Sequence, residues 1–398
     1  MSKGNMISAG VFITPKILFY IRKSLEIGNY FGLHPWTWNR TSGKAEIGPW
    51  SQQIKWRLNI SLTIPFLTFS LFRCQQFIRG GDCTSVEKIH LQFVAALYVM
   101  TLAFHWNVFR SQDDAINYIN RAIHWAQYLD ETFVENRGNR IPLLTKIMEI
   151  MLQLSFCVLT YFAPFSFVTI VIFQPRSPDQ LGSLFLRGFE VELQTMLIII
   201  FLSTCISLHT ILLLSANATA FLASALAGGL PVLLTALELS HRSSKYTTGH
   251  LRGRMIKLQI YQAVRIVMIF WNGVFGAVII PVLQLLSSFL IVIGFCGAIR
   301  MEGFQSLALA FGSCCLLTFV VVGFSILAEI DLRSSQLIYE WTSEEFAENC
   351  SKWFQCKVKS LPPLKCVIGS MFFVDKPMIL TLVGSLVDNT VTFLIMNS

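Results

Sequence analysis

From Leu193 to Leu237 the chain runs without a single Asp, Glu, Lys or Arg. Such a run can enter a bilayer only as a helix or a closed barrel, because lipid offers nothing to an unpaired backbone N–H or C=O. Its unbroken apolar character, without alternation, selects the helix. At 1.5 Å per residue that helix is roughly 60 Å long, about twice the hydrocarbon core of a membrane. It therefore crosses the bilayer and projects well beyond it. The sequence Gly228-Gly229-Leu230-Pro231 predicts a break near Gly228.

Six more apolar stretches accompany it: Leu58–Ile78, Leu91–Phe109, Ile147–Phe173 with an interruption at Pro164, Val264–Ile293 with Pro281 in its second half, Phe304–Leu327, and Pro377–Ser398. Charged residues make up 14% of the chain, against about 25% in soluble domains. The reading is an all-α membrane protein with seven transmembrane helices, the fourth of them overlong. Between the second and third spans, Ala115, Ile116, Ile119, Ala122, Ile123 and Ala126 repeat at helical spacing, which predicts a helical extension with a polar face. Near the start, Leu18, Phe19, Ile21, Leu25 and Ile27 suggest an amphipathic helix lying on the membrane, followed by interfacial tryptophans at Trp36, Trp38 and Trp50. Val11–Tyr20 does not read as a cleavable signal, since Pro15 and Lys16 interrupt it.

Lys and Arg decide the orientation. They crowd the segment before the first span and those after the second, fourth and sixth, whereas Arg300 alone separates the fifth from the sixth. The positive-inside rule then puts the N-terminus in the cytosol and, after seven crossings, the C-terminus outside. Of the glycosylation sequons, those at Asn39 and Asn349 fall on the cytosolic side and those at Asn59 and Asn217 within spans, so none is expected to be used. Cys350, Cys356 and Cys366 lack zinc-site spacing, and neither a metal nor another cofactor is implied. No nucleophile elbow, phosphate loop or His-Glu-x-x-His helix is present, which argues against an enzyme. The placement of the +8 net charge accounts for it without nucleic acid. His105 and His209 read as packing residues, and Glu149 as a side chain reaching the cytosolic surface.

The final span carries a polar stripe. Thr381, Ser385, Asp388 and Thr392 recur at helical spacing, with Gly384 and Asn389 beside them. A carboxylate deep in a span costs roughly 2.5–3.5 kcal/mol, so Asp388 should face water or a partner. Two readings stay open at this point: a helix-packing stripe of small and polar residues, or the wall of a pore. Asp375 is expected to cap the helix and Pro377 to sit in its first turn.

The block Gly369-x-x-Phe372-Phe373-Val374-Asp375-x-Pro377, followed by Gly384 and Thr392-Phe393-Leu394-Ile395-Met396, resembles the insect gustatory and odorant receptor superfamily, and more closely its gustatory branch. Phe393 stands where that family's ending usually has Tyr. The resemblance implies a chemosensory receptor that is itself a ligand-gated, non-selective cation channel in the plasma membrane, a homo- or hetero-tetramer whose seventh helices line one pore. It implies a cytosolic segment at 1–57, a six-helix bundle at 58–327, a cytosolic linker and anchor at 328–376, and a pore helix at 377–398. Thr381, Ser385, Asp388, Asn389 and Thr392 would line the pore, with Leu386 or Phe393 as its apolar gate. Monovalent and divalent cations would pass, membrane lipid would surround the bundle, and a tastant or odorant would bind in its outer half. Outer-half candidates for that pocket are Phe93, Tyr98, Tyr161, Phe165, Gln194 and Gln284. A secondary transporter is the alternative, although no paired repeats are evident. A G-protein-coupled receptor conflicts with the cytosolic N-terminus.

Overall fold

The computed structural model describes residues 11–78, 85–134, 141–173, 192–240, 246–300, 302–343, 352–370 and 372–396. Helix α1 (Pro15–Phe31) starts where the Thr14 hydroxyl accepts the Ile17 N–H and stops at Gly32, whose φ of 66° suits glycine. An antiparallel hairpin follows, β1 (Trp36–Asn39) on β2 (Lys44–Ile47). Then come α2 (Trp50–Ile78), α3 (Ser85–Arg110) and α4 (Gln112–Phe133). Helix α5 (Leu143–Cys157) runs through a π-helical turn, Val158–Phe162, into α6 (Ala163–Phe173). The long α7 (Leu193–Ser240) is followed by α8 (Arg254–Trp271), a second π-helical turn (Asn272–Gly276) and α9 (Ile279–Arg300). Helix α10 (Phe304–Thr342), the short α11 (Lys352–Lys359), a two-residue ladder of β3 (Val367–Ile368) with β4 (Phe372–Phe373), and α12 (Lys376–Met396) complete the chain.

Among the described residues seven helical stretches are long and apolar enough to cross a membrane, and they differ in part from the seven read from sequence. The expected span Leu58–Ile78 lies within α2, where Ser61, Thr63, Thr68, Ser70, Arg73, Gln75 and Gln76 hold the helix below that standard. The expected span Val264–Ile293 is two apolar helices, α8 and α9, divided by the π-turn. At Pro164 the third span is widened rather than interrupted. The π-turn just before it makes room for a ring that would otherwise meet the preceding turn.

No break occurs at Gly228 either. Helix α7 is continuous for 48 residues, with Pro231 inside it. Gly228 is there for clearance: a Cβ at that position would overlap the Tyr118 ring of α4, whose hydroxyl donates to the Ser224 carbonyl at 3.1 Å.

Packing is uneven along the molecule. The largest fully buried side chains, among them Phe12, Trp36, Trp56, Tyr118, Tyr261, Trp271 and Phe275, gather where α1, the hairpin, the start of α2, α4, α8 and the second π-turn meet. The first turns of α7 instead leave Leu193, Leu197, Ile198, Phe201 and Leu202 more than half exposed. A water-driven core at one end and apolar side chains facing outward elsewhere is the distribution expected of a bundle in lipid joined to a layer in water.

That layer claims the helix expected on the membrane. Leu18, Ile21 and Leu25 of α1 are buried in the common core, with α1 packed on α5 and α7. The Asp130 carboxylate accepts the Val11 and Phe12 N–H groups at 2.6 and 3.1 Å, while Glu149 takes the Thr14 hydroxyl and pairs with Lys16 at 3.6 Å. Glu149 is therefore a buried partner and not a surface-reaching side chain. Trp36 is 1% exposed and meets Phe221 edge-on at 5.8 Å, so it is a core residue; Trp50, at 63%, does face outward.

Candidate functional site

Helix α12 begins as its sequence dictates. The Asp375 carboxylate accepts the Met378 N–H at 2.9 Å, and Pro377 occupies the first turn, where no N–H is needed. Lys376 pairs with Glu329 of α10 at 3.2 Å, fixing the helix start to its neighbour.

The helix packs on α9 and α10 with one side only. Leu382 and Leu386 are buried, and Met378, Ile379, Phe393 and Leu394 lie against the core. Thr381, Ser385, Asp388, Asn389 and Thr392 are all exposed on the opposite side, with Gly384. Leu380, Val387, Val391 and Ile395, each at least half exposed, flank them. The Thr381 hydroxyl bonds back to the Pro377 carbonyl at 3.1 Å, and Asn389 donates to Ser385 at 3.1 Å. These bonds satisfy local groups while leaving the stripe exposed. Leu386 and Phe393 therefore do not share the stripe's face: both turn into the chain's own bundle.

The root of α12 is held by residues that sequence reading missed. Asn272, the first residue of the second π-turn, donates to the Lys365 carbonyl and accepts the Val367 N–H, each at 2.8 Å. The wider π-turn leaves the Gly276 carbonyl available to the Gly369 N–H at 2.7 Å. Tyr261 donates to the Pro362 carbonyl at 2.8 Å, and the Ser334 hydroxyl accepts the Leu364 N–H at 2.8 Å. Segment 361–369 is thereby stitched to α8, the π-turn and α10. Buried Cys366 lies within it, its thiol pushed well above the usual range by burial and by Asp331. At the far end, Arg300 of α9 donates to the Leu394 carbonyl at 3.1 Å. An asparagine or arginine paired about a hundred residues away leaves no local pattern to find.

The six pocket candidates do not converge. Tyr98 is buried and stacks on Phe66 at 6.5 Å, whereas Tyr161 and Phe165 are 64% and 72% exposed. Gln194 is exposed at the start of α7, and Phe93 and Gln284 are half-buried on α3 and α9. His105 is a packing residue as expected, its Nδ1 accepting the Trp56 indole N–H at 3.1 Å. Asn217 is fully buried and donates to the Leu213 carbonyl. Cys350 and the sequon at Asn349 lie outside the described residues.

No family model matches the sequence, and no characterised protein matches it by sequence. Solved structures do match in three dimensions. The insect olfactory receptor OR5 from Machilis hrabei superposes with a TM-score of 0.55 at 11% identity, covering 95% of this chain and 96% of that one. The same receptor in complex with eugenol gives 0.54 at 10% identity, covering 96% and 99%. Across nearly its whole length, this chain has the fold of those insect olfactory receptor structures.

Proposed function

We propose that this chain is a subunit of a chemosensory, ligand-gated cation channel in the plasma membrane, with α12 lining the pore. The observation that carries the reading is the polar stripe, which points away from the helix's own bundle and includes Asp388, for which no partner is found among the described residues. Polar groups facing hydrocarbon would be costly, so this face demands water, and symmetric copies around a shared axis supply it. Four copies would place a ring of carboxylates there, which favours cations. The fold shared with an insect olfactory receptor supports the reading, and the eugenol complex of that receptor supports a small organic ligand, odorant or tastant.

In this arrangement α2, α3, α5–α6, α7, α9, α10 and α12 cross the bilayer. Helix α8 stays in the cytosolic layer, to which it contributes Tyr261 and Trp271. Seven crossings leave the basic end inside and the end of α12 outside. Since Leu386 and Phe393 face the bundle, Val391 and Ile395, which border the stripe, are the better placed apolar constriction.

The test is whole-cell current from cells expressing the full chain against a panel of volatiles, sugars and bitter compounds, with G-protein signalling blocked. A ligand-evoked current reversing near 0 mV in mixed cations is expected. Asp388→Asn should lower cation over anion permeability several-fold, read from reversal potentials in diluted external salt. Unchanged reversal potentials would remove Asp388 from the pore.

A further inference from the structure

On the surface of the end layer, the close of α1, the hairpin and the start of α2 border an open cleft of about 550 Å³, lined by Glu26, Tyr30, Trp38, Arg40 and Lys55 among others. Between Lys16 and Arg57 the chain carries seven Lys and Arg against only two carboxylates, Glu26 and Glu46. Glu26 is shared by Arg22 at 2.8 Å, Lys23 at 3.3 Å and Arg40 at 2.8 Å, so one negative charge answers three positive ones. Lys55, across the cleft, has no acidic partner among the described residues, and Arg57 lies over the exposed Trp50 ring at 5.4 Å. The cleft therefore holds positive charge that the carboxylates among the described residues do not balance.

Its border is apolar. Trp50, Ile54, Leu58 and Leu62 recur every four residues along α2, and all are between 40% and 63% exposed. Tyr30 and Phe31 at the end of α1, 80% and 46% exposed, lie beside them, because the Asn59 side chain of α2 donates to the Gly32 carbonyl at 2.7 Å. A greasy stripe whose outer end carries exposed aromatic rings and cations at one level matches the passage from acyl chain to headgroup in a membrane. A free anion would use the cations and leave the stripe idle.

We propose that this cleft binds the headgroup phosphate of an acidic phospholipid of the inner leaflet, with the acyl chains lying along the exposed stripe of α2. Lys55 meets the phosphate, Arg40 adds charge from the hairpin while held by Glu26, and Tyr30 and Trp38 flank the glycerol. The assignment rests on reading α2 as a membrane crossing with its basic end inside, but not on the channel reading. A protein that passes no current can still bind the lipid.

The test uses the full chain in neutral detergent, with lipid retention followed by native mass spectrometry. Dioctanoyl phosphatidic acid, dioctanoyl phosphatidylcholine and inorganic phosphate are titrated separately. Retention of phosphatidic acid at least tenfold tighter than phosphatidylcholine is expected, with inorganic phosphate displacing it poorly. Lys55→Gln, which breaks no ion pair among the described residues, should weaken phosphatidic acid about fivefold, whereas Arg57→Gln, on the other side of α2, should not. Lys55→Arg should bind as the parent does, which separates lost charge from lost folding. Equal retention of the two lipids, or a Lys55→Gln variant with parental affinity, would overturn the assignment. Displacement by inorganic phosphate at equal concentration would overturn it in favour of a free anion.

Discussion

Asn272 spends both halves of its side-chain amide on one strand, donating to Lys365 and accepting from Val367. Neither backbone group has a comparable substitute if the amide is removed, and an unmade hydrogen bond of this kind costs about 1–3 kcal/mol. Asn272→Ala should therefore lower the melting temperature in detergent by several degrees. Asn272→Asp should fare no better, since a carboxylate cannot donate to the Lys365 carbonyl. His34 gives a second single-residue test. Its Nδ1 accepts the Trp36 N–H at 3.3 Å, its Nε2 lies 3.4 Å from the Ser24 carbonyl, and burial pushes the imidazole down to about 4. The folded protein then resists protonating a group that the unfolded chain protonates near 6.5, so this contribution is intact above 6.5 and is lost as pH falls from there towards 4. By pH 5 the loss is on the order of 2 kcal/mol. Thermal scans from pH 7.5 to 5 should show a shallower decline for His34→Gln than for the parent.

Elements show most directly which parts of this fold are written locally. The stripe of α12 was legible because polar residues at helical spacing in an apolar run declare a face, and Asp375 and Pro377 declare a start. The α8–α9 boundary was hidden, because apolar character continues across Asn272–Gly276 while only the backbone hydrogen-bond pattern changes. At Gly228 the local signal misled: glycine and proline punctuate helices, but here the glycine answers to Tyr118, more than a hundred residues earlier. The same holds for α1 and Trp36, whose apolar faces fit a membrane and a protein core equally well. Local sequence cannot choose between the two. A consequence for α7 follows. Gly228→Ala should destabilise the protein by about 1–3 kcal/mol through overpacking against Tyr118. Tyr118→Phe in the same chain should recover part of that loss, and a double-mutant cycle of melting temperatures would measure the coupling.

At the scale of the whole molecule, what the six pocket candidates share is depth along their helices. Depth says nothing about which side a residue faces, and that is why Tyr161 and Phe165 turn outward while Tyr98 turns in. The outward direction of the stripe can be checked by thiol chemistry. Ser385→Cys should react with a water-soluble maleimide well above the background of the parent's cysteines, and oxidation should yield covalent dimers. Leu386→Cys, one residue on, should do neither. Equal reactivity at both positions would mean that α12 does not sit with its stripe away from the bundle.

Helices α9 and α12 are tied together at three levels. Ahead of both helices the Gly276 carbonyl accepts the Gly369 N–H, the Cys296 thiol donates to the Thr390 carbonyl at 3.7 Å, and near their ends Arg300 holds the Leu394 carbonyl. Two parallel rods joined at both ends behave as one beam. Neither can slide or spin against the other without breaking a joint. Over the roughly 30 Å length of α12, a 5° swing carries the tip by about 2.6 Å. A tilt imposed on α9 would therefore be shared by α12.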